Sequence, residues 1–223
     1  MPVESMNNQV VLITGGSRGI GFEIVKYFKS MGIEVLNPTR IELDLNDFKS
    51  IENYMDKISR VDVLINNAGI NILGDTSSLS EEDLLETFQI NILSPIKLSQ
   101  LVIPKMKNGG KIINISSIWS FVSKPKRFSY SSAKAALDGL TRSLAVELGD
   151  KNILVNSIAP GFIDTDLTRK NNNELEIKQI IEKIPLKKLG NVQDIAKMAY
   201  FLSFENEYIT GQTIIIDGGY LCQ

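Results

Sequence analysis

The run Val10-Val11-Leu12-Ile13-Thr14 breaks off directly into Gly15-Gly16-Ser17-Arg18-Gly19-Ile20-Gly21, and this junction constrains the fold more than any other stretch. A continuous β-branched apolar run without polar alternation reads as a strand covered on both faces. Behind the glycines, Ile20, Ile24 and Phe28 recur at helical spacing with charges between them. A buried strand that turns through glycines into a helix is the opening unit of a parallel α/β sheet. The glycines permit a tight turn and close approach of backbone to a phosphate, and the helix N-terminus supplies free N–H groups and a positive dipole end. Such a turn on its own serves equally as a plain structural turn.

The rest of the chain repeats the alternation. Strands are predicted at 10–14, 33–36, 61–65, 111–115, 153–158 and 213–216. Helices are predicted at 19–29, 48–58, 80–107, 129–148, 174–184 and 192–204. Ser80-Glu81-Glu82-Asp83 has the form of a capping box, and Pro95 bends the helix it opens or starts a new turn. Residues 171–173, three asparagines, read as a flexible tip. With no repeat, no linker and 223 residues, a single domain spanning 1–223 is expected. The predicted class is α/β, a doubly wound Rossmann fold with helices on both faces of a parallel sheet.

Composition narrows the chemistry. The chain has no histidine and one cysteine, Cys222. This removes Ser-His-Asp and Cys-His nucleophiles, His-ligated metals and any internal disulfide or thiolate cluster, so no metal site is expected. Acid–base work at neutral pH must fall to Tyr, Lys or a carboxylate. A net charge of −2 gives no basic footprint for nucleic acid. No apolar run approaches the ~20 residues of a membrane span. Residues 1–9 are polar and lack a signal-peptide pattern, which suggests a cytoplasmic protein.

Tyr130-Ser131-Ser132-Ala133-Lys134 opens a predicted helix, and its i,i+4 spacing puts Tyr130 and Lys134 on one face. A free phenol has a pKa of ~10. A neighbouring ammonium is expected to lower that value. The same spacing also suits two solvent-exposed side chains.

The three-residue gap between Gly15 and Gly19, then one residue to Gly21, resembles the short-chain dehydrogenase/reductase family. The likeness runs from Val10 to Tyr220 and is nearest to the 3-oxoacyl-[acyl-carrier-protein] reductase branch. It implies a catalytic set of Asn91, Ser117, Tyr130 and Lys134, with Ser117 rather than Ser116 holding the carbonyl oxygen. In that set Lys134 lowers the Tyr130 pKa and holds the nicotinamide ribose, and Asn91 maintains a water-borne proton path. The resemblance assigns the cofactor to Gly15, Gly16, Ser17, Arg18, Gly19, Ile20 and Gly21, and to Asp44 and Leu45 beside the adenine. Asn67, Ala68 and Gly69 follow, in the turn that begins at Asn66, and then Pro160, Gly161, Ile163 and Thr165 around the carboxamide. Tyr130 and Lys134 complete the cofactor set. The family commonly forms homo-oligomers, dimers or tetramers, through the helices at 80–107 and 129–148.

Two stretches depart from the family pattern. Pro38 interrupts the region after the second strand, where the usual helix is expected to be missing and 42–45 to form a reduced third strand. The end of the second strand carries neutral Asn37 where an acid would favour NAD, while Arg18 and Arg40 suit a 2′-phosphate. NADP(H) is therefore expected over NAD(H), unless Arg40 is a solvated loop charge. Residues 118–129 hold Trp119, Phe121, Pro125, Lys124, Lys126 and Arg127 in place of the usual glycines. Trp119 joins Ser117 and Tyr130 as a substrate contact, and the cations either meet an anionic substrate or are solvated.

The expected activity is NADPH-dependent reduction of a ketone, small or carrier-bound, with Tyr130 as proton donor. A 3-oxoacyl thioester is the leading substrate, and a sugar or surface-polysaccharide precursor is the alternative. A non-catalytic dinucleotide-binding protein is the remote one.

Overall fold

The computed structural model describes residues 9–107 and 109–223. The sequence reading of 1–8 lies outside them. Six strands form one parallel sheet, in the order β2-β1-β3-β4-β5-β6. They are β1 (Val10–Ile13), β2 (Glu34–Leu36), β3 (Val63–Asn66), β4 (Lys111–Ile115), β5 (Leu154–Pro160) and β6 (Thr213–Ile216). The order reverses between β1 and β3, and ligands of open α/β sheets bind at the carboxyl ends of the strands beside such a switch point.

Both sheet faces are dry, which explains the unbroken apolar runs. Leu12, Leu64, Ile112 and Val155 point to one face. They meet Ile51 and Met55 of α2 (Phe48–Met55), Leu98 and Val102 of α4 (Ser94–Val102), and Leu148 of α5 (Phe128–Leu148). Val11, Ile13, Val63, Ile65 and Ile113 point to the other. There α1 (Gly19–Ser30) and α8 (Val192–Tyr200) cover the sheet, with Phe28 fully buried among Tyr200 and Phe204. Burial of a side chain of that size contributes about 1.5–3 kcal/mol.

The helix predicted over 80–107 is broken. It comprises α3 (Glu81–Phe88), a π turn at Gln89–Leu93, and α4, in whose first turn Pro95 sits. The Ser80 hydroxyl caps α3 by accepting from Asp83 N at 3.1 Å. The π turn carries Asn91, which is fully buried. Of the alanines on α5, Ala133 packs inside the chain against Ile92 and Leu137, whereas Ala136 is exposed.

Residues 42–45 are not a strand. Thr39 N and Oγ1 both donate to Glu42 Oε2, at 2.8 and 2.9 Å, and Leu43 N donates to Thr39 O at 3.0 Å. This self-capped turn stands where the ladder was expected, and the Leu45 carbonyl accepts from Gln89 and Ser94 instead of a neighbouring strand. The usual helix here is missing, as Pro38 suggests, and β2 is the sheet edge.

The three asparagines at 171–173 are not a loose tip. Asn172 is buried and donates to Thr168 O at 2.8 Å. Asn173 caps α7 (Glu174–Lys183) in a capping box with Glu176. A short helix not foreseen from the sequence, α6 (Asp166–Lys170), precedes them. Among the described residues no helix is long and apolar enough to cross a membrane.

Candidate active site

The carboxyl ends of the strands border a cleft of about 410 Å³. Its floor is the glycine loop. Gly15 and Gly19 take φ of +67° and +55°, a left-handed backbone that glycine adopts without strain. At Gly21 the reason is space: a Cβ there would stand 2.2 Å from Gly15 O. Asn67, at the end of β3, clamps the loop by donating from Nδ2 to Thr14 O at 2.9 Å and Gly15 O at 3.0 Å. In return the Thr14 hydroxyl accepts from the backbone of Asn67 and Ala68, at 3.2 and 3.1 Å. Thr14 was not singled out from the sequence, although its place as the last residue before the glycines was visible. The loop, its close approaches and the α1 N-terminus fit a dinucleotide pyrophosphate.

Ser17, Arg18, Ile20, Ala68 and Gly69 line the same cleft, as do Arg40, Asp44 and Leu45 on the 39–45 turn. Gly16 does not line it; a Cβ there would meet Val25 and Asn37 at 2.9 and 3.0 Å. Asn37 thus stands beside the loop, where an acid would meet a ribose 2′-hydroxyl. Arg40 is exposed and 3.8 Å from the Asp44 carboxylate. On the far wall, Pro160 ends β5 and Gly161 N donates to Ile216 O at 2.8 Å. Ile163 is buried, its carbonyl accepting from the Thr168 hydroxyl at 2.6 Å. Thr165 caps α6 and faces Gly19, so α6 closes over the loop.

Ser117, Tyr130 and Lys134 come together at the cleft's inner end. Ser117 follows β4 and caps the turn at Ile118–Ser120, its Oγ accepting from Trp119 N at 3.2 Å. Ser116 is also buried, with Oγ lacking a hydrogen-bond partner. Tyr130 packs against the cluster of Ile118, Trp119 and Phe162. The Lys134 ammonium donates to Ile115 O at 2.7 Å and lies 5.6 Å from the Tyr130 ring centroid.

Burial pushes the Tyr130 phenol above its ordinary value. A hydrogen bond with the Ser117 hydroxyl and the charge of Arg127 pull it back. Lys134 is engaged with Ile115 O and stands over the Tyr130 ring, within range for its charge to favour a phenolate. Burial also lowers the Lys134 ammonium, to about 8, against the charge of Asp138.

Asn91 stands behind this group and does not line the cleft. Its Nδ2 donates to Ile70 O at 2.9 Å and Thr87 O at 2.8 Å, and its Oδ1 accepts from Ile70 N at 3.3 Å. It thereby anchors the strand-end turn, where a Cβ added at Gly69 would meet Asn91 Oδ1 at 2.8 Å and Lys134 Nζ at 3.5 Å. Trp119 forms an aromatic wall, edge-on to Phe162 at 5.8 Å. Sequence reasoning named Arg127 only among loop cations; it is buried and lines the cleft.

Residues 36–221 match the sequence profile described as enoyl-(acyl carrier protein) reductase. The chain is 36% identical, over 95% of its length and 97% of the relative's, to 3-oxoacyl-[acyl-carrier-protein] reductase FabG of Chlamydia trachomatis. It belongs to the short-chain dehydrogenase/reductase family. Solved structures of similar fold include a blue fluorescent protein from a metagenomic library in complex with NADPH. That likeness has 30% identity and TM-score 0.88, over 96% of this chain and 98% of that one. The ligand-free aldohexose dehydrogenase of Thermoplasma acidophilum is 28% identical with TM-score 0.93, over 98% and 96%. This short-chain dehydrogenase/reductase is thus an NAD(P)-dependent oxidoreductase acting on CH–OH groups.

Proposed function

We propose that this protein reduces a 3-oxoacyl thioester to the 3-hydroxyacyl compound with NADPH, as a cytoplasmic homo-oligomer. The carrying observation is the convergence of Ser117, Tyr130 and buried Lys134 on one wall of the glycine-loop cleft. Reduced nicotinamide, when bound, supplies the hydride. Ser117 donates a hydrogen bond to the carbonyl oxygen and fixes its position. Tyr130 donates the proton as negative charge develops on that oxygen. A phenol held above its ordinary pKa stays protonated at neutral pH, which suits a donor in the reductive direction. The Lys134 ammonium, charged in most molecules at pH 7, stabilises the phenolate left behind. Asn91 holds the turn past which Lys134 runs, consistent with a proton path from solvent.

Similarity to the FabG relative supports the thioester. Arg18, Arg40 and neutral Asn37 support NADPH. Exposed Leu85, Leu93 and Val146 on the helical segments of 81–102 and 128–148 support self-association. Likeness to aldohexose dehydrogenase favours a second reading, a sugar-derived ketone. Steady-state NADPH oxidation against acetoacetyl thioesters and keto-sugars separates the two. Turnover of keto-sugars alone removes the first reading, and turnover of neither removes both.

A further inference from the structure

Arg127 sits at the N-cap of α5, 4% exposed, with its guanidinium 5.6 Å from the Trp119 ring centroid. Its Nε is buried without a hydrogen-bond partner, and among the described residues it forms no ion pair. An arginine cannot shed its proton, and a buried charge without a counter-charge is costly. A cation–π contact with Trp119 is the partner the buried guanidinium has, and its Nε–H is left without a hydrogen bond.

The acids nearby are engaged elsewhere. Asp75 lies 3.9 Å from Lys126, Asp164 holds Arg169 at 2.8 Å, and Glu176 acts on Lys124. Asp166 also lines the cleft and makes no ion pair with Arg127. Lys124 stands over the same indole at 5.8 Å but is exposed, faces Glu176 and lies outside the cleft. The Arg127 guanidinium therefore brings a charge without an ion-pair partner to the cleft beside Tyr130, on which that charge acts. The free edge of a guanidinium, Nε–H with one terminal N–H, matches the two oxygens of a carboxylate.

We propose that Arg127 is a specificity-determining residue that pairs with a carboxylate on the substrate, a few carbon atoms from the ketone held by Ser117 and Tyr130. The enzyme then reduces a 3-oxo acid better than the neutral ester of the same shape. This rests on the ketone-reductase reading but favours a free 3-oxo acid over the thioester form of it, since a thioester offers Arg127 only a neutral carbonyl oxygen. S-acetoacetyl-N-acetylcysteamine is expected to behave as the methyl ester does, and a wild-type preference for it over acetoacetate overturns the proposal.

The test measures kcat/KM with NADPH for acetoacetate, methyl acetoacetate and S-acetoacetyl-N-acetylcysteamine, in wild type, Arg127→Met and Arg127→Lys. Wild type is expected to favour acetoacetate over the methyl ester at least ~10-fold. Arg127→Met loses roughly 100-fold on acetoacetate, chiefly in KM, and at least ~10-fold less on the ester, where only the effect of the Arg127 charge on Tyr130 is lost. Arg127→Lys, which keeps the charge without the fork, falls between them. Equal losses on acid and ester, or a wild-type preference for the ester, overturn the proposal. Should Arg127→Met fail to fold, malonate inhibition of wild type and Arg127→Lys decides. Competition against acetoacetate, weakened in the lysine variant, supports the proposal, and its absence overturns it. If no ketone is reduced, the reductase reading fails, and calorimetric binding of malonate to wild type and Arg127→Lys tests the carboxylate site separately. Binding weakened in Arg127→Lys upholds the site; equal binding or none overturns it.

Discussion

The Lys134 ammonium donates to the carbonyl of Ile115 at 2.7 Å, tying the first turns of α5 to the last residue of β4. That contact places a lysine inside the protein, where burial lowers it to about 8. Between pH 8 and 10.5 the unfolded chain holds this proton and the folded chain does not, so wild-type stability gains as pH rises through that window. Lys134→Met lacks the gain. Its stability relative to wild type should fall by about 3 kcal/mol between pH 7 and pH 10.5, from the ~2.5-unit displacement at about 1.4 kcal/mol per unit. Urea midpoints across pH measure this, and parallel curves for the two proteins would rule it out.

Tyr130→Phe removes the proposed proton donor and keeps the ring that packs on Ile118 and Trp119. Ketone reduction should drop by at least 10²-fold, the contribution expected of general acid catalysis. NADPH affinity, read by fluorescence, should change by less than about threefold because the Asn67 clamp and the loop are untouched. Activity within tenfold of wild type would remove Tyr130 from the mechanism.

Gly21→Ala places a methyl group 2.2 Å from Gly15 O and 2.3 Å from Asn67 Nδ2, so the loop must shift. Overpacking of this kind costs about 1–3 kcal/mol. Cofactor affinity should weaken more than ~10-fold. Gly149→Ala is the control: no heavy atom lies within 4 Å of its added Cβ, and neither stability nor affinity should fall. An unaltered affinity in Gly21→Ala contradicts the loop's assigned role.

Cofactor preference turns on the end of β2. Asn37→Asp puts a carboxylate beside the glycine loop, where it accepts from a ribose hydroxyl and repels a 2′-phosphate. Arg40→Ala removes a cation from the same rim. Each should lower the NADPH-to-NADH ratio of kcat/KM about tenfold or more, by roughly the 1.4 kcal/mol of one charge-assisted contact. A wild type that already prefers NADH refutes the NADP reading at once.

Most of this architecture is written in short-range pattern. The β-branched runs, the helix periods around Ile24 and Phe28, and the Gly15, Gly19 and Gly21 spacing specify a doubly wound sheet because each depends only on nearby residues. Tyr130 and Lys134 were legible for the same reason, being one helical turn apart. The errors fell where local backbone chemistry competes. Thr39 and Glu42 cap a turn that pattern alone read as a strand, and Asn173 with Glu176 forms a capping box where three asparagines suggested a loose tip. The π turn that buries Asn91 left no periodic signal.

Sequence by itself determined the parallel sheet, the glycine turn after β1 and the placing of Tyr130 and Lys134 one helical turn apart in a chain without histidine. Tertiary structure alone decided which charges are taken out of water. Lys124, Lys126 and Arg127 are neighbours in one basic segment, yet Lys126 is solvated beside Asp75 while Arg127 is buried against Trp119. Burial is set by what packs around a side chain from distant elements. So the desolvation that shifts Tyr130 and Lys134, and leaves Arg127 without a counter-charge, exists only once β4, α5 and the turn after Ser117 have met.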